Sequence, residues 1–151
     1  MNKNVSIVDY GLGNILSAKQ SFLKVAKENK IISDIKITSD PNEVKKSTHI
    51  VLPGQGAFES CMTGLKNIPG MIEQLEESVI NKKIYFLGIC VGMQLLANKS
   101  YENGEHLGLG WISGKIIKLS PNTKLPHIGW NEVQISNNNN LIKSKEIKDY
   151  Y

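Results

Sequence analysis

Apolar positions along the first hundred residues switch repeatedly between two spacings. Val5 to Val8 is a short β-forming run closed by Tyr10-Gly11-Leu12-Gly13-Asn14, after which Ile15, Leu16, Phe22, Leu23 and Ala26 recur at helical spacing. This predicts a strand, a tight glycine turn and a helix. Ile35 to Thr38 reads as a second strand, and the Asp40-Pro41-Asn42-Glu43 that follows has the form of a capped helix start with proline at the first helical position. His49 to Leu52 reads as a third strand ending at Pro53-Gly54-Gln55-Gly56, beyond which Phe58, Cys61, Met62 and Leu65 share one helical face. Ile72, Leu75 and Val79 mark another helix begun near Pro69, with glutamates on its outer side. The strand Ile84 to Leu87 then leads through a glycine-flanked cysteine into a helix expected to run toward Lys99. Strands alternating with helices in this way predict an α/β fold, a mostly parallel sheet with helices on both faces.

The pattern changes after Tyr101. GLGWISGKIIKLS and PHIGWNEVQIS are rich in glycine and β-formers, and predict strands that either extend the sheet antiparallel or form a flap beside it. Four asparagines at 137–140 predict a polar loop. With no repeat and no linker composition, the expectation is a single domain over 1–151.

Composition narrows the function. The 151 residues are 40% hydrophobic and 21% charged, and no apolar run approaches the roughly 20 residues of a membrane span. All 18 basic residues are lysines, scattered along the chain, so the net charge of +4 comes without arginine's planar fork and without a basic cluster. That disfavours nucleic acid and favours a small-molecule role. The start MNKNVSIVDY lacks the apolar segment of a signal peptide, which predicts a cytoplasmic protein with reduced thiols. Cys61 and Cys90 have neither the count nor the spacing of a zinc site or a disulfide framework, and neither a metal nor a cofactor is expected.

The candidate chemistry lies in FLGICVGMQLL, residues 86–96, where Cys90 stands between Gly88 and Gly92. In a strand-turn-helix elbow the nucleophile takes a strained backbone conformation, and glycines two positions to either side remove side chains that would collide. The helix start beyond it favours thiolate. The N–H of Val91 would serve as one oxyanion donor, and the Gly54-Gln55-Gly56 loop, at the end of a neighbouring strand, would offer a second. A cysteine ending a buried strand can equally be an apolar filler, the reading that suits Cys61 among Phe58, Met62 and Leu65.

Several segments together resemble one family. VDYGLGN, LPGQGAF, FLGICVGMQLL, GLGWISGKIIKL and LPHIGWNEV fall in the order and approximate spacing of the class I (triad) glutamine amidotransferases, most closely the glutaminase subunit of imidazole glycerol phosphate synthases. The resemblance implies a flavodoxin-like amidotransferase fold, incomplete at its C-terminal end, and hydrolysis of L-glutamine through Cys90. It implies an oxyanion environment from Gly54, Gln55, Gly56 and Val91, with Gln94 helping to hold the substrate. It also implies a heterodimer with a (β/α)8-barrel cyclase that receives the ammonia. Asn14, His127 and Trp130 would face that partner, with turn-shaping or core packing as the alternative for each segment. Gln55 departs from the family, which more often has a small aliphatic residue there.

A cysteine nucleophile needs a base, and the chain has three histidines. His49 reads as a packed or edge residue of the third strand, and His106 as a solvent-exposed loop residue. His127 is not at the family's triad position, whose histidine and glutamate come from a later F-H-P-E-like stretch with no counterpart here. The expectation is a chain lacking those two groups and not a competent glutaminase by itself. Two rival readings remain. One is a paralogous amidotransferase feeding a different synthase, such as one amidating surface sugars; the other is a partner-binding module that kept the fold and lost the chemistry. A peptidase-type cysteine elbow ranks last.

Overall fold

The structure, a computed structural model, describes residues 2–120 together with 129, 131–132 and 149–150. It divides into two compact units, Met1–Lys118 and Leu119–Tyr151.

The first unit is built on four parallel strands, β1 (Lys3–Val8), β2 (Ser33–Thr38), β3 (His49–Gly54) and β4 (Tyr85–Cys90), in the order β2-β1-β3-β4. Alternation sorts their side chains onto two faces. Val8, Ile50 and Leu52 point to a core shared with Phe58, Cys61, Met62 and Leu65 of α3 (Phe58–Lys66), Met71 and Leu75 of α4 (Met71–Glu76), and Val44 of α2 (Pro41–Lys45). Val5, Ile7, Ile35 and Val51 point the other way, where Ile15, Phe22 and Ala26 of α1 (Ile15–Glu28) cover them. Helices therefore lie on both faces, as the periodicity predicted.

The helix starts follow local chemistry. Asp40 caps α2, its Oδ1 accepting from the Asn42 N–H at 2.8 Å with Pro41 at the first helical position. Asn14 caps α1, accepting from the Ser17 N–H at 3.3 Å. Leu16 and Leu23, which recur with Ile15 at helical spacing, are 70% and 40% exposed. The helix is rotated so that only the 15-22-26 stripe meets the sheet.

One expectation is corrected beyond the cysteine. The helix after it, α5, covers only Val91–Gln94, and the chain turns at Leu95 into β5 (Ala97–Ser100). The cause is tertiary. Leu95, Leu96, Ala97 and Asn98 give their carbonyls to the N–H groups of Leu109, Ile112, Gly110 and Gly108, all within 2.8–3.1 Å, so carbonyls needed to continue the helix are already taken. Gly108 permits this contact, since a Cβ there would sit 2.2 Å from the Ala97 carbonyl oxygen.

Of the two arrangements expected for the GLGW segment, the structure shows strands beside the main sheet and not an extension of it. β5 forms a separate sheet with β6 (His106–Leu107), antiparallel, and β7 (Ile112–Ile116), parallel, in the order β6-β5-β7. Leu109, Trp111 and Ile116 close it onto the first core, Trp111 meeting Phe86 edge to face at 5.5 Å.

In the second unit β8 (Asn131–Glu132) pairs antiparallel with β9 (Asp149–Tyr150). His127, Trp130 and the 137–140 asparagines lie outside the described residues.

Candidate active site

β4 runs to Cys90 itself, three residues beyond its expected end, and α5 begins at the next residue. Cys90 has φ 54° and ψ −118°, a left-handed-side conformation that costs a non-glycine residue roughly 1–3 kcal/mol and persists only where the surroundings impose it. The imposing contacts are visible. Gly54 of β3 pairs in register with Cys90, and Gly92 lies flat against the Leu52 and Pro53 backbone, where a Cβ would come within 1.9 Å of the Leu52 carbonyl oxygen. The elbow is pressed onto β3, and its thiol is left exposed.

A cleft of about 420 Å³ opens above it, lined by Asn14, Ser17, Phe22, Gly54, Gln55 and Cys90, among others. Gly54 is buried, Gln55 is exposed, and Gly56 takes φ 101° as the chain turns toward α3. Val91 is buried in the first turn of α5, where backbone N–H groups have no intrahelical partner. The structure thus brings Cys90, Val91, Gly54 and Gln55 together, with Asn14 on the cleft wall. Gln94 is not among them. It lines a separate cleft of about 380 Å³ with Tyr101, Glu102 and Ile116.

The 53–56 loop is held from beneath by side chains to which sequence reading gave no role at the site. The Tyr10 hydroxyl donates to the Pro53 carbonyl at 2.5 Å, the Cys61 thiol donates to the Gln55 carbonyl at 3.5 Å, and the Glu102 carboxylate accepts from the Phe58 N–H at 2.7 Å. Glu102 supplies the side-chain cap that α3 otherwise lacks, since its N-cap residue is Ala57. Burial, reinforced by the Cys61 side chain, pushes the Tyr10 phenol far above its ordinary range, so it remains a donor. Cys61 is fully buried, as its apolar helix face predicted. Tyr10 carried a weak sequence signal, a hydroxyl-bearing aromatic entering a glycine turn; Glu102 carried none.

Neither described imidazole lines the cleft at Cys90. His49 opens β3 opposite Tyr85, five residues before Cys90 on the paired strand, which is about 16 Å at ~3.3 Å per residue. It stacks on Tyr85 at 5.1 Å, with Nδ1 2.8 Å from Thr48 Oγ1. His106 is corrected from its expected solvent exposure. Its side chain is 19% exposed on β6, and Nε2 is buried over Gly104 without a hydrogen-bond partner among the described residues, 3.9 Å from Glu59 Oε2. Among the described residues no cluster of His, Cys, Asp or Glu could hold a metal ion, and no helix is long and apolar enough to cross a membrane.

His49 yields a pH prediction. Burial, and secondarily Lys3, lower its pKa below the ordinary value of about 6.5, so the unfolded chain binds the proton more readily. Its contribution to stability is full above pH ~6.5 and is lost as pH falls through the depressed folded value. Thermal denaturation across this window is expected to show a slope that His49→Gln reduces; an unchanged slope would contradict the assignment.

Residues 6–150 match the model of the class I glutamine amidotransferases, and the chain belongs to this family. Among its relatives, a protein of Pelagibacter ubique named imidazole glycerol phosphate synthase subunit HisH is 45% identical over 150 residues, covering 97% of this chain and 71% of the relative. Proteins of the same name from Zymomonas mobilis and Agrobacterium fabrum are 46% and 45% identical, over 89% and 87% of this chain and 63% and 62% of their own lengths. The chain therefore spans about two thirds of the relatives it matches.

Proposed function

We propose that this chain carries the nucleophile of a glutaminase, the subunit of an imidazole glycerol phosphate synthase that releases ammonia from L-glutamine. The observation that carries the reading is the strained, exposed Cys90 set in register against Gly54 at the floor of an open cleft.

In this reading the Cys90 thiolate attacks the carboxamide carbon, forming a C–S bond as the carbonyl π pair moves onto oxygen. The Val91 and Gln55 N–H groups stabilise that oxyanion, each such donor being worth about 3 kcal/mol. Collapse breaks the C–N bond, and the proton taken from the thiol by a general base leaves with ammonia. Water then cleaves the thioester, giving glutamate and restoring the thiol. The base is neither His49 nor His106, and we place it on the open side of the cleft, where the thiol is accessible. Gln94 is assigned to helping hold the substrate glutamine.

The ammonia is assigned to a cyclase partner, a (β/α)8 barrel, with Asn14, His127 and Trp130 each assigned to contact with that partner. Both units are assigned to one amidotransferase domain, a reading supported by the family match over residues 6–150. A cytoplasmic setting suits two free thiols, one of them exposed.

Alkylation tests the reading. A glutamine analogue bearing an electrophile in place of the carboxamide is expected to label Cys90, not buried Cys61, and glutamine is expected to protect it. Labelling that is slow and indifferent to glutamine would contradict catalysis and favour a binding module.

A further inference from the structure

We infer that Tyr10 and Cys61 are positioning residues that hold the second oxyanion donor in place by fastening the backbone on either side of it. The inference deepens the proposed glutaminase reading and rests on it.

The peptide group that matters is the one joining Gly54 to Gln55, because its N–H is the donor assigned to the oxyanion. Neither hydrogen bond from beneath the loop touches that group. The Tyr10 hydroxyl grips the carbonyl of the preceding peptide group, at Pro53, and the Cys61 thiol grips the carbonyl of the following one, at Gln55. Both donors come from the packed side. Tyr10 is 6% exposed, at the end of the segment following β1, and Cys61 is fully buried on α3. Each is anchored by the core cluster that also contains Leu52, Phe58 and Leu65, so neither can swing away without disturbing the packing.

Two fixed carbonyls leave one peptide group between them whose orientation is set by only two torsions, ψ of Gly54 and φ of Gln55. With either fastening lost, the adjoining peptide group can turn as well, and the direction of the Gln55 N–H is then spread over more torsions. Gly54 cannot be widened to stiffen the joint, since a Cβ there would lie 2.4 Å from the Gly92 nitrogen. Fixing the neighbours is therefore the available means of setting the donor. An oxyanion donor acts through geometry that exists before the charge appears, so loosening either fastening lowers transition-state stabilisation more than substrate binding.

The test uses the full protein assembled with its synthase partner. Tyr10→Phe and Cys61→Ala each remove one donor with little change of shape, and Cys61→Ser restores an O–H donor at the second position. Each deletion is expected to lower kcat about tenfold, as loss of one hydrogen bond implies, with the KM for glutamine within about twofold. Affinity for glutamate γ-semialdehyde, whose adduct with Cys90 carries an oxyanion, should fall about tenfold as well. Labelling of Cys90 by iodoacetamide, which creates no oxyanion, should be unchanged, and Cys61→Ser should recover most of the loss. Folded Tyr10→Phe and Cys61→Ala proteins with wild-type kcat and aldehyde affinity would overturn the inference, as would equal losses in aldehyde binding and iodoacetamide labelling. Failure of the underlying reading looks different: the unmodified protein itself would then bind no aldehyde at Cys90.

Discussion

Gly92→Ala is expected to unfold the elbow. Alanine normally gains about 1 kcal/mol over glycine inside a helix, so propensity alone predicts stabilisation. The added methyl would, however, sit 1.9 Å from the Leu52 carbonyl oxygen and 3.1 Å from the Pro53 carbonyl carbon, both backbone atoms of a strand held on two sides. The collision must be relieved by prising α5 off β3, and overpacking of this kind costs about 1–3 kcal/mol or more. A loss near the top of that range lowers Tm by about 10 °C in a domain of this size. Gly114→Ala provides the control, because a Cβ there meets nothing within 4 Å and its φ is ordinary. Thermal denaturation of the two variants, with Gly114→Ala near wild type and Gly92→Ala far below it, checks the close approach of elbow and strand. Equal melting temperatures would contradict it.

Cys90→Gly is expected to be inactive and more stable. Removal of the nucleophile from a triad enzyme costs about a millionfold in rate, so glutamate release by the full protein with its partner should fall to background. Glycine also removes the backbone strain that a side chain suffers at φ 54°, which should raise stability by about 1 kcal/mol. Cys90→Ser separates the two effects, since it keeps the strain and loses the thiolate: equally inactive, without the gain in Tm. A site that trades stability for chemistry behaves in this way.

How much of this could be read from the residues follows from where the determining contacts lie. The strands at Val5, Ile35 and His49, the capped start at Asp40 and the buried stripe Phe58-Cys61-Met62-Leu65 are set by neighbours a few positions away, and the sequence shows them. The elbow was legible for the same reason, because Gly88, Cys90 and Gly92 stand within five residues of one another. Leu95 and Leu96 look like a continuing helix, but their carbonyls are claimed by Leu109 and Ile112, a dozen or more residues later, and no local pattern reveals that. The same holds for Glu102, which caps a helix 44 residues upstream, and for Tyr10, whose partner carbonyl lies 43 residues downstream. His106 was placed in solvent because it was read as part of the loop after the elbow helix, whereas it opens β6, paired with β5, with its side chain only 19% exposed. Leu16 and Leu23 lie on the helix their spacing predicted yet are exposed, since spacing identifies a helix but not the rotation at which it meets a sheet.

The central claim is a covalent one, that the carbon of a glutamine side chain becomes bonded to the sulfur of Cys90. Mixing the full protein and its partner with glutamine, quenching in acid within the first turnover and mapping peptides by mass places the bond directly. A glutamyl thioester on the peptide containing Cys90, absent from Cys90→Ser, is the result predicted. Glutamate formed with no adduct at Cys90, or an adduct on Cys61, would contradict it.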